Sequence, residues 1–166
     1  MGTHAVQRGA TAETVSANVK RLRTSKNLGL RGLAKKLGEV GRPLGHGAVD
    51  QIEKGTRRVD VDDLLALAVA LDVVPSALLM PEPTKEEWDT FTNAEKLLDT
   101  WTAETTGNPE GVAARDLWRW LKAEGPPRAM DDERERHKWL VGAVPARFLP
   151  GWKQAALKEG ANHGDD

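Results

Sequence analysis

From residue 13 to residue 71 the apolar side chains recur at helical intervals, in four short runs. Val15, Val19 and Leu22 form the first; Leu30, Leu33, Ala34 and Leu37 the second; Ala48, Val49 and Ile52 the third; Leu64, Leu67, Ala68 and Leu71 the fourth. Each run makes one apolar stripe on a helix too short to be stable alone, so the stripes must pack against one another. The punctuation fits. Gly41 before Arg42-Pro43, and Gly55, stand where helices end on a residue in the left-handed conformation. Asp60 is placed to cap the fourth helix, with Asp63 at the capping-box position near the positive end of its dipole. Pro75 opens a brief last helix over 76–80. No strand pattern interrupts the series, and the expectation is an all-α, five-helix domain over residues 12–81. A short helix following another across a turn further suggests a helix-turn-helix.

Composition divides the chain at Met80-Pro81-Glu82-Pro83. All six tryptophans and both phenylalanines follow that stretch. The net charge of −1 hides an asymmetry: residues 1–80 hold 12 Lys/Arg against 8 Asp/Glu, and 81–166 hold 12 against 17. Within 20–58 the balance is 11 basic residues to 3 acidic, an electrostatic footprint suited to nucleic acid. With no cysteine, neither disulfides nor thiolate metal sites are available. No apolar run is long enough for a membrane span, and MGTHAVQRGA lacks the apolar stretch of a signal peptide. Met1-Gly2 is not followed by the myristoylation pattern, because Val6 stands where it needs Ser or Thr. A cytoplasmic protein without a membrane partner is expected, with polar, disordered tails at 1–11 and 159–166.

The second half, 84–158, reads as a Trp-rich helical region. Thr84 and Glu87 carry a capping-box signature. Trp88, Phe91, Ala94, Leu98 and Trp101 then trace one helix face that runs to about Gly107-Asn108-Pro109. A further helix fits 112–123, and Asp131 is placed to cap a third that carries DDERERHKWLVG. Tryptophans at this spacing are expected in a core, with a partner surface as the other use of such residues. Glu133 and His137 share a face four residues apart, two ligands where a metal needs more. HExxH, Gly-rich phosphate loops and GxSxG are all missing, so no catalytic residues, metal or cofactor are expected and the chain is not read as an enzyme.

The runs VKRLRTSKNLGLRGLAKKLG and AVDQIEKGTRRVDVDDLLALAVALDV resemble the phage-repressor-like, or XRE-type, helix-turn-helix family over roughly residues 15–80. Its tetrad Ile-Glu-x-Gly is matched by Ile52-Glu53-Lys54-Gly55, and Leu33-Ala34 and Leu64–Ala68 follow the same order. The resemblance implies that the third helix lies in the major groove of double-stranded DNA. Gly45, His46, Gly47, Asp50 and Gln51 then face base edges, where Gln51 has the amide chemistry to pair with adenine and Asp50 to accept from cytosine. Phosphate contacts fall to Arg31, Lys54, Thr56, Arg57 and Arg58, which position the domain without reading sequence. The resemblance also implies a structural ion pair between Arg23 and Glu53. Two departures stand out: EVGRPL makes the turn between the second and third helices longer than in the phage repressors, and Gly47 weakens the third helix. The expected function is transcriptional regulation by a homodimer, with the C-terminal region serving dimerisation or a protein or small-molecule effector. The alternative is an adaptor or antitoxin-like factor that docks a protein through the same domain.

Overall fold

The computed structural model describes residues 8–90, 97–98, 101–126 and 132–143. Five helices follow in order: α1 (Ala10–Ser25), α2 (Leu30–Glu39), α3 (His46–Glu53), α4 (Val61–Ala70) and α5 (Pro75–Leu79). They enclose one core in which Val19, Leu33, Leu37, Val49, Ile52, Leu67, Leu71 and Leu78 are completely buried. Each such side chain contributes about 1.5–3 kcal/mol by leaving water. The inward stripes are those the sequence predicts, with Leu22, Leu30, Ala34 and Leu64 only partly covered at the rim.

The first four helices end alike. Asn27, Gly41, Gly55 and Asp72 adopt positive φ just beyond them. The next amide then reaches back to the third carbonyl from the helix end: Leu28 to Arg23, Arg42 to Leu37, Thr56 to Gln51 and Val73 to Ala68, all at 2.8–3.0 Å. These Schellman closures satisfy carbonyls that would otherwise be orphaned and turn the chain sharply. At the start of α4 the Asp60 carboxylate accepts from the Asp63 amide at 2.7 Å, as the capping pattern predicts. Buried Asn18 on α1 donates to the carbonyls of Leu78 (3.1 Å) and Met80 (2.7 Å), tying the end of α5 to α1. Helix α1 begins at Ala10, inside the stretch expected as a tail.

The all-α expectation needs a correction beyond Trp101. Helix α6 (Lys85–Thr90) opens with the predicted capping box: the Glu87 amide donates to Thr84 Oγ1 at 3.2 Å and the Thr84 amide to Glu87 Oε2 at 2.6 Å. The expected continuation of that helix to residue 107 does not occur. Instead β1 (Thr102–Thr105) and β2 (Asn108–Ala113) form an antiparallel hairpin. β1 alternates, with Ala103 and Thr105 buried and Thr102 and Glu104 exposed. Gly107 supplies the positive φ at the turn. Between the pairs Ala103↔Val112 and Thr105↔Asn108 one residue of β1 faces three of β2, and Gly111 takes up this irregularity at φ +80°. Two β-branched threonines in a run whose burial alternates, followed by a turn glycine, favour a strand over another helical turn.

Helix α7 (Ala114–Leu121) follows the hairpin, and α8 (Glu133–Ala143) closes the described chain. Asp132 accepts from the Arg134 amide at 2.7 Å at the start of α8. The expected cap Asp131, the residues Phe91, Ala94, Phe148 and Trp152, the side chain of His137, residues 1–7 and the expected C-terminal tail lie outside the described residues. Of the described tryptophans, Trp101, Trp118 and Trp139 are half-buried, whereas Trp88 and Trp120 are exposed, so core packing accounts for only part of them. The hairpin rests on α1, where the Thr106 amide donates to Thr11 Oγ1 at 2.9 Å, and α7 packs against α5.

Candidate nucleic-acid interface

Helix α3 presents a buried and an open face. Val49 and Ile52 are fully buried, while His46, Gly47, Gln51 and Lys54 are exposed. Gly45 is the N-cap, in extended geometry, and no side chain bonds to the first-turn amides there. The amides of His46 and Gly47 therefore lack a side-chain acceptor and stand at the positive end of the helix dipole. Neither Gly45 nor Gly47 has a positive φ, and a Cβ added at either would meet nothing within 4 Å. The fold itself does not demand glycine at these positions.

Not all the expected contact residues are equally open. Asp50 is half-buried, and its carboxylate holds the Lys54 ammonium at 2.6 Å. A base edge or phosphate that used either group would have to break that pair. The Gln51 carbonyl accepts from the amides of Thr56 (2.8 Å) and Arg57 (3.1 Å), and from Thr56 Oγ1 at 3.3 Å. That anchors the loop after α3 while the Gln51 side chain remains exposed.

Arg57 departs most from expectation. Its Nη2 donates at 3.1 Å to Asp63 Oδ2, and the other oxygen of that buried carboxylate accepts from Arg42 Nε at 2.7 Å. Arg42 reaches on to Asp60 at 2.8 Å, which raises its pKa, chiefly through the bond to Asp63. The capping bond from the Asp63 amide, followed by the neighbouring arginines, holds Asp60 below the usual carboxylate range. Arg57 thus belongs first to the scaffold rather than to the set of free cations. Sequence reasoning misses Arg42 altogether, because its partners lie 18 and 21 residues away.

The expected pair is present. Arg23 Nε and Nη2 meet the Glu53 carboxylate at 2.5 and 2.9 Å, and Arg23 Nη1 donates to the Leu28 carbonyl at 2.6 Å. Both side chains are largely buried, so the tetrad glutamate is fixed as part of the frame. The bond to Glu53 raises the pKa of Arg23.

Among the described residues, Lys20, Lys26, Arg31, Lys36 and Arg58 are exposed and have no carboxylate partner. Within residues 20–58 the basic excess that survives internal pairing therefore sits on α1, on α2 and just after α3. No group of three or more metal-capable side chains occurs among the described residues, and no helix there is long and apolar enough to cross a membrane. Compared with protein-family models, with curated proteins and with solved structures, the chain gives no match.

Proposed function

We propose that this chain is a sequence-specific DNA-binding regulator of transcription, built as an XRE-type helix-turn-helix domain with α3 as its reading helix. The observation that carries the proposal is an open, uncapped α3 N-terminus in a domain whose α1, α2 and post-α3 segment carry five exposed cations without a carboxylate partner. Arg31 and Arg58, with Lys54 and Thr56, hold phosphates; His46 and Gln51 read base edges, and Gly45 and Gly47 let the backbone approach closely. Two copies would occupy a pseudo-palindrome with half-sites about one helical turn apart.

The test uses a site selected from random duplexes, then affinity for that site and its single-base variants at fixed salt. Gln51→Ala is expected to lose about 1–3 kcal/mol of discrimination at one base pair per half-site. As an exposed substitution it leaves stability within about 0.5 kcal/mol of the parent. Full retention of preference at every position would remove Gln51 from the reading set, and failure to select any site would remove the DNA reading.

A second reading has its own support. On α4, Val61, Leu65 and Val69 form an exposed apolar stripe at four-residue spacing. This is the kind of surface a protein partner covers, and it favours an adaptor or antitoxin-like factor. In that case the same selection returns no preferred duplex.

A further inference from the structure

Between the five-helix core and the hairpin lies a cavity of about 550 Å³, within the range of small-molecule sites. Its body is apolar, formed by Val15, Leu64, Leu79, Leu117, Trp120 and Leu121. The cationic lining comes from Arg8, Arg57 and Arg58. Among the described residues, the sole carboxylate of the lining is Asp60, already engaged by Arg42 and by the amide of Asp63.

Two of these arginines have charge to offer a guest. Arg8 and Arg58 are exposed, and neither forms an ion pair with a described carboxylate. Arg57 is already held by Asp63.

We propose that this cavity binds a small amphipathic acid, an apolar body carrying one carboxylate. The apolar part lies along Leu64, Leu79, Leu117 and Trp120. The carboxylate meets the charge of Arg8, whose guanidinium packs over Gly55, and of Arg58. Such charge-assisted bonds are about twice as strong as neutral ones, so an alcohol of the same length is a poor substitute. This site goes beyond the DNA-binding reading and does not depend on it.

The test is calorimetric titration of the full chain, without DNA, with decanoate and with 1-decanol. Decanoate is expected to bind one to one, and decanol at least about tenfold more weakly. Ala12 is exposed on α1 and lines the cavity, so Ala12→Phe takes up part of it without removing a core contact and should weaken binding of both probes. Arg8→Gln should weaken decanoate about five- to tenfold and leave decanol unchanged, which a general loosening of packing would not do. Far-UV circular dichroism checks that both variants keep the parent fold. Equal affinity for acid and alcohol, binding of many equivalents, or decanoate affinity unchanged by Ala12→Phe would overturn the proposal.

Discussion

Asp63 is the residue on which the frame around α3 depends, and Asp63→Asn tests it. The side chain is 1% exposed and binds Arg42 through one oxygen and Arg57 through the other. Asparagine keeps the shape and one acceptor but turns an NH₂ group toward a guanidinium and removes the charge both arginines face. Breaking a fully buried pair costs about 3–5 kcal/mol because the partner charge is stranded. Here the partner side chains are 34% and 35% exposed and can rehydrate, so the expected loss is smaller, about 2–3 kcal/mol. For a domain of this size that lowers Tm by about 10–20 °C. Urea unfolding followed by far-UV circular dichroism gives the free energy, with exposed Asp62→Asn as the neighbour control, expected within about 0.5 kcal/mol of the parent. Cycles of Asp63→Asn with Arg42→Gln and with Arg57→Gln should each return a coupling above about 0.5 kcal/mol. If Asp63→Asn behaves like Asp62→Asn, or both cycles are additive, the reasoning fails.

Gly47→Ala should raise thermal stability by up to about 1 kcal/mol, since the added methyl meets nothing and alanine is the better helix former. It should weaken affinity for the selected duplex at the same time, and unchanged affinity would show that the backbone of α3 does not lie against DNA. Ala123, in the left-handed conformation at φ +57° after α7, should be improved by glycine, with Ala123→Gly gaining about 1 kcal/mol in urea unfolding. No gain would mean that the strain is not felt. The bond from the Thr84 amide, chiefly, holds Glu87 below its usual pKa. A depressed folded pKa means stability that is present above the ordinary carboxylate pKa, about 4, and is lost as the pH falls through the lowered value. Urea midpoints from pH 7 to pH 3 should therefore fall less steeply for Glu87→Gln than for the parent, and parallel curves would contradict this.

The five helices of the first half could be read from the sequence because each is encoded locally. The apolar stripe fixes the buried face, and residues such as Gly41 and Gly55 fix the stop. The Thr84–Glu87 box is equally local. Arg23 and Glu53 lie 30 residues apart, and only the family resemblance joined them. The hairpin escaped because Thr102–Thr105 is four residues long, too short for alternation to outweigh a helical stripe that continues to Trp101. The capping rule places Asp63 at the start of α4 but says nothing about where a third-position carboxylate finds cations. Arg42 and Arg57 reach it from the two connections flanking α3, and that convergence exists only in three dimensions. Arg8, assigned to a tail, packs over Gly55 for the same kind of reason.

That convergence has a consequence for how the domain can change. Arg42 precedes α3 and Arg57 follows it, and both are fastened to one carboxylate on α4. The segment between them is thus moored at both ends by groups outside its open face. Residues 45–47, 50 and 51 can be rewritten while Val49, Ile52, Glu53 and the two moorings stay in place. The helix behaves as an exchangeable cassette, so new binding preferences could arise by replacing it without rebuilding the domain that carries it.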